Sequence, residues 1–278
     1  MQLSFRLDAF LQLIPHRLSS TPFPLSPKAF VRQCKLTLPS LIVLLLSLTA
    51  SGKHQGVDGK VGAFFRPARR SGLWPDAEAV HRSTVTKARA KLSWTAFEHL
   101  HHDAVRLAYE VWPTGYEFAW RGLSVFAIDG SQYRLPASDA VRVAFDPDSG
   151  LDHPGQGHYP QCLVSTAYDV FRRLPVARTV QSMAHANERE EVKALLPHVP
   201  SGGVLLLDRG YPSHELIAYL QRHYRGYWLI RCPASATFPA VEAFVQSGQA
   251  EAVITLQPPR AEPIRLRVLR LTGPEGEL

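Results

Sequence analysis

At 278 residues, 45% of them hydrophobic and 20% charged, the chain has the composition of a globular protein with ample core. The formal net charge of +7 lies wholly in the first 120 residues, where 15 Lys and Arg stand against 8 Asp and Glu. That asymmetry points to a polyanion-binding module joined to a neutral one. Three widely spaced cysteines, Cys34, Cys162 and Cys232, form no C-x-x-C pair, which argues against a zinc cage or disulfide framework and for reduced thiols.

Residues 1–27 contain Pro15, Pro22, Pro24 and Pro27 among Ser and Thr, and read as a loosely ordered lead-in. Residues 28–118 read as a helical region. Phe30, Val31 and the run Leu41–Ala50 suggest a helix pair. That apolar run is shorter than the ~20 residues a bilayer span needs. It begins late and lacks a small-residue cleavage site for a signal peptide. A buried helix in a cytoplasmic protein without a membrane partner is the expectation.

Phe64-Phe65 precede Arg66-Pro67 and predict packing onto a following turn. Ser83-Thr84 predict a cap for a helix through Leu92, with Val85, Ala88 and Leu92 inward and Lys87, Arg89 and Lys91 clustered. Thr95-x-x-Glu98 reads as a capping box. The helix behind it carries Phe97, Leu100, Ala104, Leu107 and Val111 on one face. Helix, short turn and basic helix fit a helix-turn-helix DNA reader or a plain helical bundle.

After Trp112-Pro113 the periodicity changes to α/β. Residues 123–128 read as a buried strand closed by Asp129-Gly-Ser131, and 132–160 as a long loop. Cys162–Asp169 and Leu174–Val180 predict two hairpin strands, and Asn187-x-x-Glu190 a capped helix through Leu196. Val204-Leu-Leu-Leu207 predicts a strand ending at Asp208-Arg-Gly-Tyr211. Ser213 caps a further helix, and Tyr227–Arg231 is a last strand. Residues 236–278 read as short alternating strands, Ala252–Leu256 and Ile264–Leu271. Two acids that each close an apolar strand, if those strands are neighbours, are a means of gripping Mg²⁺ for phosphoryl chemistry.

Ile128-Asp129-Gly-Ser131 followed by Leu207-Asp208-Arg-Gly-Tyr211 resembles the first two acidic motifs of DDE transposases of insertion-sequence family four. Ser83–Ser93 is similar to that family's N-terminal DNA-binding region, and the resemblance spans about residues 30–240. It implies an RNase H-like mixed sheet with flanking helices over 119–235. An all-α DNA-binding region over 28–118 would precede it, and the start of a β-rich insertion over 236–278 would follow.

It further implies that Asp129 and Asp208 hold Mg²⁺, or Mn²⁺, for DNA cleavage and strand transfer. Lys87, Arg89, Lys91, Arg209 and Tyr211 would contact double-stranded DNA, both transposon terminal repeats and target, with a homodimer forming the synaptic complex. The same resemblance adds a nucleoid-associated location.

The family's third acid belongs to a Tyr-x2-Arg-x3-Glu-x6-Lys motif. Here Tyr219-x2-Arg222 begins such a pattern, but Gly226 takes the glutamate's place. Glu242, Glu251, Glu262, Glu275 and Glu277 lack its flanks. The expectation is a truncated copy, inactive alone. A DNA-binding remnant that competes with a full-length transposase is the alternative, and a nuclease completed by another acid of the chain is a third reading.

Other polar groups carry less. His101 and His102 read as exposed helix residues. His153 and His158, with Asp146, Asp148 and Asp152, read as a surface loop. Asp169 reads as a turn cap, and His185, near Asn187 and Glu188, is placed to approach the aspartates. Ser131 and Ser165 have no histidine motif about them that would signal a nucleophile.

Overall fold

The structure is a computed structural model that describes residues 25–26, 28–31, 35–50, 57–70, 76, 78–113, 115–146, 159–258, 262–273 and 276–277. It comprises two compact units, residues 1–113 and 114–278. His153, His158, Asp148, Asp152, Glu275 and most of the 1–27 lead-in lie outside the described residues.

In the first unit, helices α1 (Leu38–Ala50), α2 (Val57–Arg70), α3 (Arg82–Arg89) and α4 (Thr95–Val111) surround one apolar cluster. The Leu41–Ala50 run forms most of α1, and Leu41, Ile42 and Leu44 are sealed from solvent. Phe30 sits in a turn with φ 62° and does not begin a helix. Phe64 and Phe65 lie in mid-helix, not before a turn, and α2 runs through Pro67. Interior proline costs about 3 kcal/mol; burial of Val61, Phe65 and Ala68 along one face offsets it.

The cap of α3 is His81, whose Nδ1 accepts from the Ser83 N–H at 3.2 Å, so the helix starts earlier than Ser83-Thr84 suggested. Thr95 is the first residue of α4 rather than its cap, and the Ser93 hydroxyl accepts from its N–H at 3.3 Å. The buried line of α4 is Ala96, Leu107 and Ala108. Phe97 and Leu100 are half-buried against the cluster.

The second unit is built on a five-stranded mixed sheet, ordered β3-β2-β1-β4-β5. The strands are β1 (Val125–Arg134), β2 (Gln161–Asp169), β3 (Leu174–Ser182), β4 (Val204–Leu207) and β5 (Tyr227–Ile230). β1, β2 and β3 form an antiparallel meander, while β4 and β5 run parallel to β1. This is the α/β sheet with flanking helices expected above, consistent with an RNase H-like core.

β1 is longer than the apolar run that announced it. Past Ile128 it continues to Arg134, held by antiparallel pairing with β2, where a loop had been expected. A short helix α5 (Asp139–Phe145) follows within that same supposed loop. Helix α6 (Glu188–Leu195) is capped by Asn187, whose side chain accepts from the Arg189 N–H at 3.1 Å, and packs across β1, β2 and β3. Helix α7 (His214–His223) is capped by Ser213 at 3.1 Å. Lys193 ties α6 to α7 by pairing with Glu190 and Glu215, each at 2.6 Å.

Asp169 caps the β2–β3 turn. One oxygen accepts from the Arg172 N–H at 3.0 Å and the other pairs with the Arg172 guanidinium at 2.8 Å, beneath the Phe118 ring.

Beyond the sheet, residues 236–278 are not strands alone. Helix α8 (Pro239–Ser247) precedes the hairpin β6 (Glu251–Leu256) and β7 (Ile264–Leu269), and the short pair β8 (Thr272–Gly273) and β9 (Gly276–Glu277) follows. Proline at its start and Gly248 at φ 72° just past its end bound that helix. Its Val241 joins Ile217, Phe238, Leu256 and Ile264 in a second apolar cluster. Among the described residues no helix is long and apolar enough to cross a membrane.

Candidate active site

The parallel pairing of β1 with β4 builds the site. Ile128 is opposite Leu207, so the next residue of each chain segment, Asp129 and Asp208, emerges from the sheet beside the other. Asp208 lies one residue beyond β4; Asp129 is still inside β1, opposite Thr166 of β2. Both aspartates are exposed, although the strands that deliver them are buried at Phe126, Ile128, Leu205 and Leu207.

Each carboxylate is steadied by a glycine amide. Asp129 Oδ1 accepts from the Gly130 N–H at 2.9 Å, and Asp208 Oδ1 accepts from the Gly210 N–H at 3.2 Å. These bonds leave the other oxygen of each acid for a further partner.

Another acid, Glu188 of α6, lies near the glycines that follow them. A Cβ on Gly130 would stand 2.7 Å from Glu188 Oε1, and one on Gly210 would stand 3.6 Å from Glu188 Oε2. The half-buried Glu188 carboxylate therefore lies against the glycines that follow the two aspartates. Next to it, Arg189 donates through Nη2 to the Gly210 carbonyl at 3.3 Å and fastens the 208–211 turn to the start of α6. His185, the residue expected to approach the site from this segment, is exposed in the preceding turn; Glu188 makes the approach instead.

Tyr211 closes the site from below. Its side chain is 1% exposed, and among the described residues its hydroxyl closes no hydrogen bond of good geometry. The phenol pKa is pushed up, first by burial and then by the negative charges of Glu188, Asp129 and Asp208. The Gly130 N–H acts in the opposite sense but does not close a bond. The tyrosine expected to touch DNA is thus a core residue: its ring is covered, and the negative groups about it would repel a phosphate.

The remaining expected residues are elsewhere. Arg209 is exposed beside Asp208 in the second unit, while Lys87, Arg89 and Lys91 are exposed in the first, on α3 and just after it. Val85 and Leu92 of that segment are buried as expected, so its basic side chains face outward. Glu242 accepts from the Thr237 N–H at 3.2 Å, and Glu251 pairs with Arg267 at 2.7 Å. Neither belongs to the Asp129–Asp208 pair's own contacts. Among the described residues, no group of three or more His, Cys, Asp or Glu side chains is placed to hold a metal ion.

Sequence reasoning passed over Glu188. The signal was faint but present: Asn187 marks the helix start, and a glycine follows each aspartate within two residues.

A mixed sheet that sets two strand-end aspartates side by side is the arrangement that the DDE resemblance led one to expect. The family described as Transposase DDE domain matches residues 120–264, more than half of the chain, and the chain belongs to that family. The curated protein named Putative transposase InsZ, from Escherichia coli (strain K12), is 26% identical over 168 residues. That alignment takes in 58% of this chain and 54% of InsZ, so the chain spans about half the length of this relative. A cryo-EM structure of the piggyBac transposase synaptic complex with hairpin DNA resembles the chain at a TM-score of 0.40 and 14% identity, over 91% of this chain and 56% of that one. This last likeness is too slight to bear on function.

Proposed function

We propose that residues 114–278 carry the catalytic centre of a transposase, with Asp129 and Asp208 as ligands of a divalent cation, Mg²⁺ or Mn²⁺, used in DNA strand cleavage and transfer. The observation that supports this most is the β1–β4 register, which sets two exposed carboxylates side by side above a buried sheet. The site fits a cation in one further respect: each carboxylate has one oxygen bonded to a glycine amide and the other left for a further partner.

A bound cation would polarise the scissile phosphate and lower the pKa of an attacking hydroxyl. The chain's own residues have separate tasks. Asp129 and Asp208 supply the charge, and the Gly130 and Gly210 amides fix their orientation. Arg209 is exposed where a phosphate could meet it, and the basic segment with Lys87, Arg89 and Lys91 would grip the DNA backbone. Double-stranded transposon ends are the substrate on this reading, and a homodimer would hold two of them. Membership of insertion-sequence family four belongs to the same reading.

A second reading rests on the exposed basic side chains of Lys87, Arg89 and Lys91 in the first unit. On it the chain occupies transposon ends without cutting them and competes with a full-length transposase.

The experiment is cleavage of a duplex carrying the ends that flank the chain's own reading frame, with Mg²⁺ or Mn²⁺. The enzyme reading expects cleavage that falls at least about 100-fold in Asp208→Asn. End binding without any cleavage would support the second reading.

A further inference from the structure

We propose that the end of the five-stranded sheet remote from Asp129 and Asp208 is a binding surface for single-stranded DNA. The inference goes beyond the cation site and does not depend on any metal there.

Strand register brings four turns to this end. The parallel strands β1, β4 and β5 all begin here, with Val125 opposite Val204 and Val204 opposite Tyr227. β2 runs the other way, and its last residue, Asp169, is opposite Phe126, so the β2–β3 turn lies beside the start of β1. Asp129 and Asp208 come about 13 Å further along their strands, at ~3.3 Å per residue. Neighbouring strands are about 4.8 Å apart, so β2 to β5 spans about 14 Å, room for about four stacked nucleotides at ~3.4 Å each.

The turns present aromatic rings and arginines together. Trp120 and Leu123 exchange backbone hydrogen bonds at 2.8 and 2.9 Å across Arg121 and Gly122. Both intervening residues have positive φ, which makes a tight hairpin turn with Arg121 at its tip. The Arg121 guanidinium carbon lies 5.3 Å from the centre of the Trp120 ring. Phe171 and Arg173 are exposed on the β2–β3 turn. Arg225 and Tyr227 are exposed where β5 begins, and the Gly202 N–H fixes that turn by donating to the Arg225 carbonyl at 2.6 Å. Among the described residues of this unit five aromatic rings are largely exposed, and three of them, Trp120, Phe171 and Tyr227, belong to this one end.

Charge favours an anion here. Residues 115–124, 169–174, 199–204 and 224–227 contain four arginines and two acids. One of those acids, Asp169, is buried and paired with Arg172, which leaves Arg121, Arg173 and Arg225 exposed against Glu117. Rings beside arginines recognise unpaired nucleotides, because each base offers a face for stacking while the guanidinium meets its phosphate. A duplex hides those faces within its own stack, and a surface for phosphates alone gains nothing from three exposed rings.

The test is fluorescence anisotropy of the full chain with a labelled oligothymidine of about 12 nucleotides, and with a duplex of equal length. EDTA is present, so no divalent cation takes part. We expect Trp120→Ala combined with Phe171→Ala to lower single-strand affinity at least about tenfold and to leave duplex affinity at the wild-type value. Arg121→Asn with Arg173→Asn, replacements that tolerate the positive φ of both positions, should reduce the single-strand slope of log affinity against log salt by about 1.4. If melting curves show the double aromatic variant to be misfolded, Tyr227→Ser carries the same comparison. Equal losses for duplex and single strand would overturn the inference in favour of a plain phosphate surface. So would single-strand affinity that keeps its wild-type value in these variants and falls only when Lys87, Arg89 and Lys91 are replaced, or a wild type that binds no single strand. None of these outcomes touches the two-aspartate site, which metal binding tests separately.

Discussion

Burial holds the Tyr211 phenol in its neutral form, and the charges of Glu188, Asp129 and Asp208 act in the same direction, so its pKa stands above the ordinary value of 10.0. The folded chain keeps this proton at a pH where the unfolded chain has released it. The stability that results is fully present below pH 10 and is lost as pH rises from there toward the folded-state value. Urea unfolding midpoints should therefore drop above pH 10. Tyr224, also raised by burial, contributes in the same sense. Replacing Tyr211 with Phe should flatten part of that drop, and an alkaline limb identical to wild type would show that the hydroxyl is not coupled to the fold. At this scale the two aspartates were legible in the sequence because each directly follows a run of apolar residues. The nearness of Glu188 to them was not, since nothing in a single chain marks which carboxylate lies beside a distant glycine. Tyr211 was misplaced because a motif shows which residues are neighbours in sequence but not which way a ring turns.

At the scale of elements, the strands with apolar faces could be read directly, as could the helices whose first turn has a side-chain oxygen acceptor. Asn187 and Ser213 cap α6 and α7 as their spacing suggested. The outer half of β1 could not be read. Asp129 to Arg134 is largely exposed, so it lacks the apolar signal of a strand and is held by its ladder with β2 alone. α8 was hidden for a related reason, because its Pro239 and Gly248 read as loop punctuation when they are the start and stop of a helix. The basic segment at α3 gives a separate prediction. If Lys87, Arg89 and Lys91 contact three phosphates, replacing all three with Ala should reduce the slope of log affinity against log salt by about 2.7. Nitrocellulose filter binding between 50 and 200 mM salt, roughly the range where such effects are large, measures it. An unchanged slope would mean that the exposed basic face of α3 is only solvated surface.

On the scale of the whole molecule, the charge division anticipated in the sequence falls close to the structural one. The excess basic residues precede residue 121, and the compact units part at residue 113. The helical first unit has one apolar cluster of its own, while the second carries the five-stranded sheet and both aspartates. A division of labour follows from this on the proposed reading, with DNA held by one unit and cut by the other. The family match falls within the unit with the sheet and leaves the whole helical unit outside it, so the DNA-binding reading draws on the charge and exposure of that unit. The central claim is narrower: the β1–β4 register exists to hold a cation between Asp129 and Asp208. The most direct measurement is anomalous diffraction from crystals of the full chain soaked in Mn²⁺. The account predicts an anomalous peak within coordination distance of both aspartates, about 2.0–2.4 Å from an oxygen of each. Well-diffracting, Mn²⁺-soaked crystals with no peak there, or with Mn²⁺ held only by other residues, would contradict it.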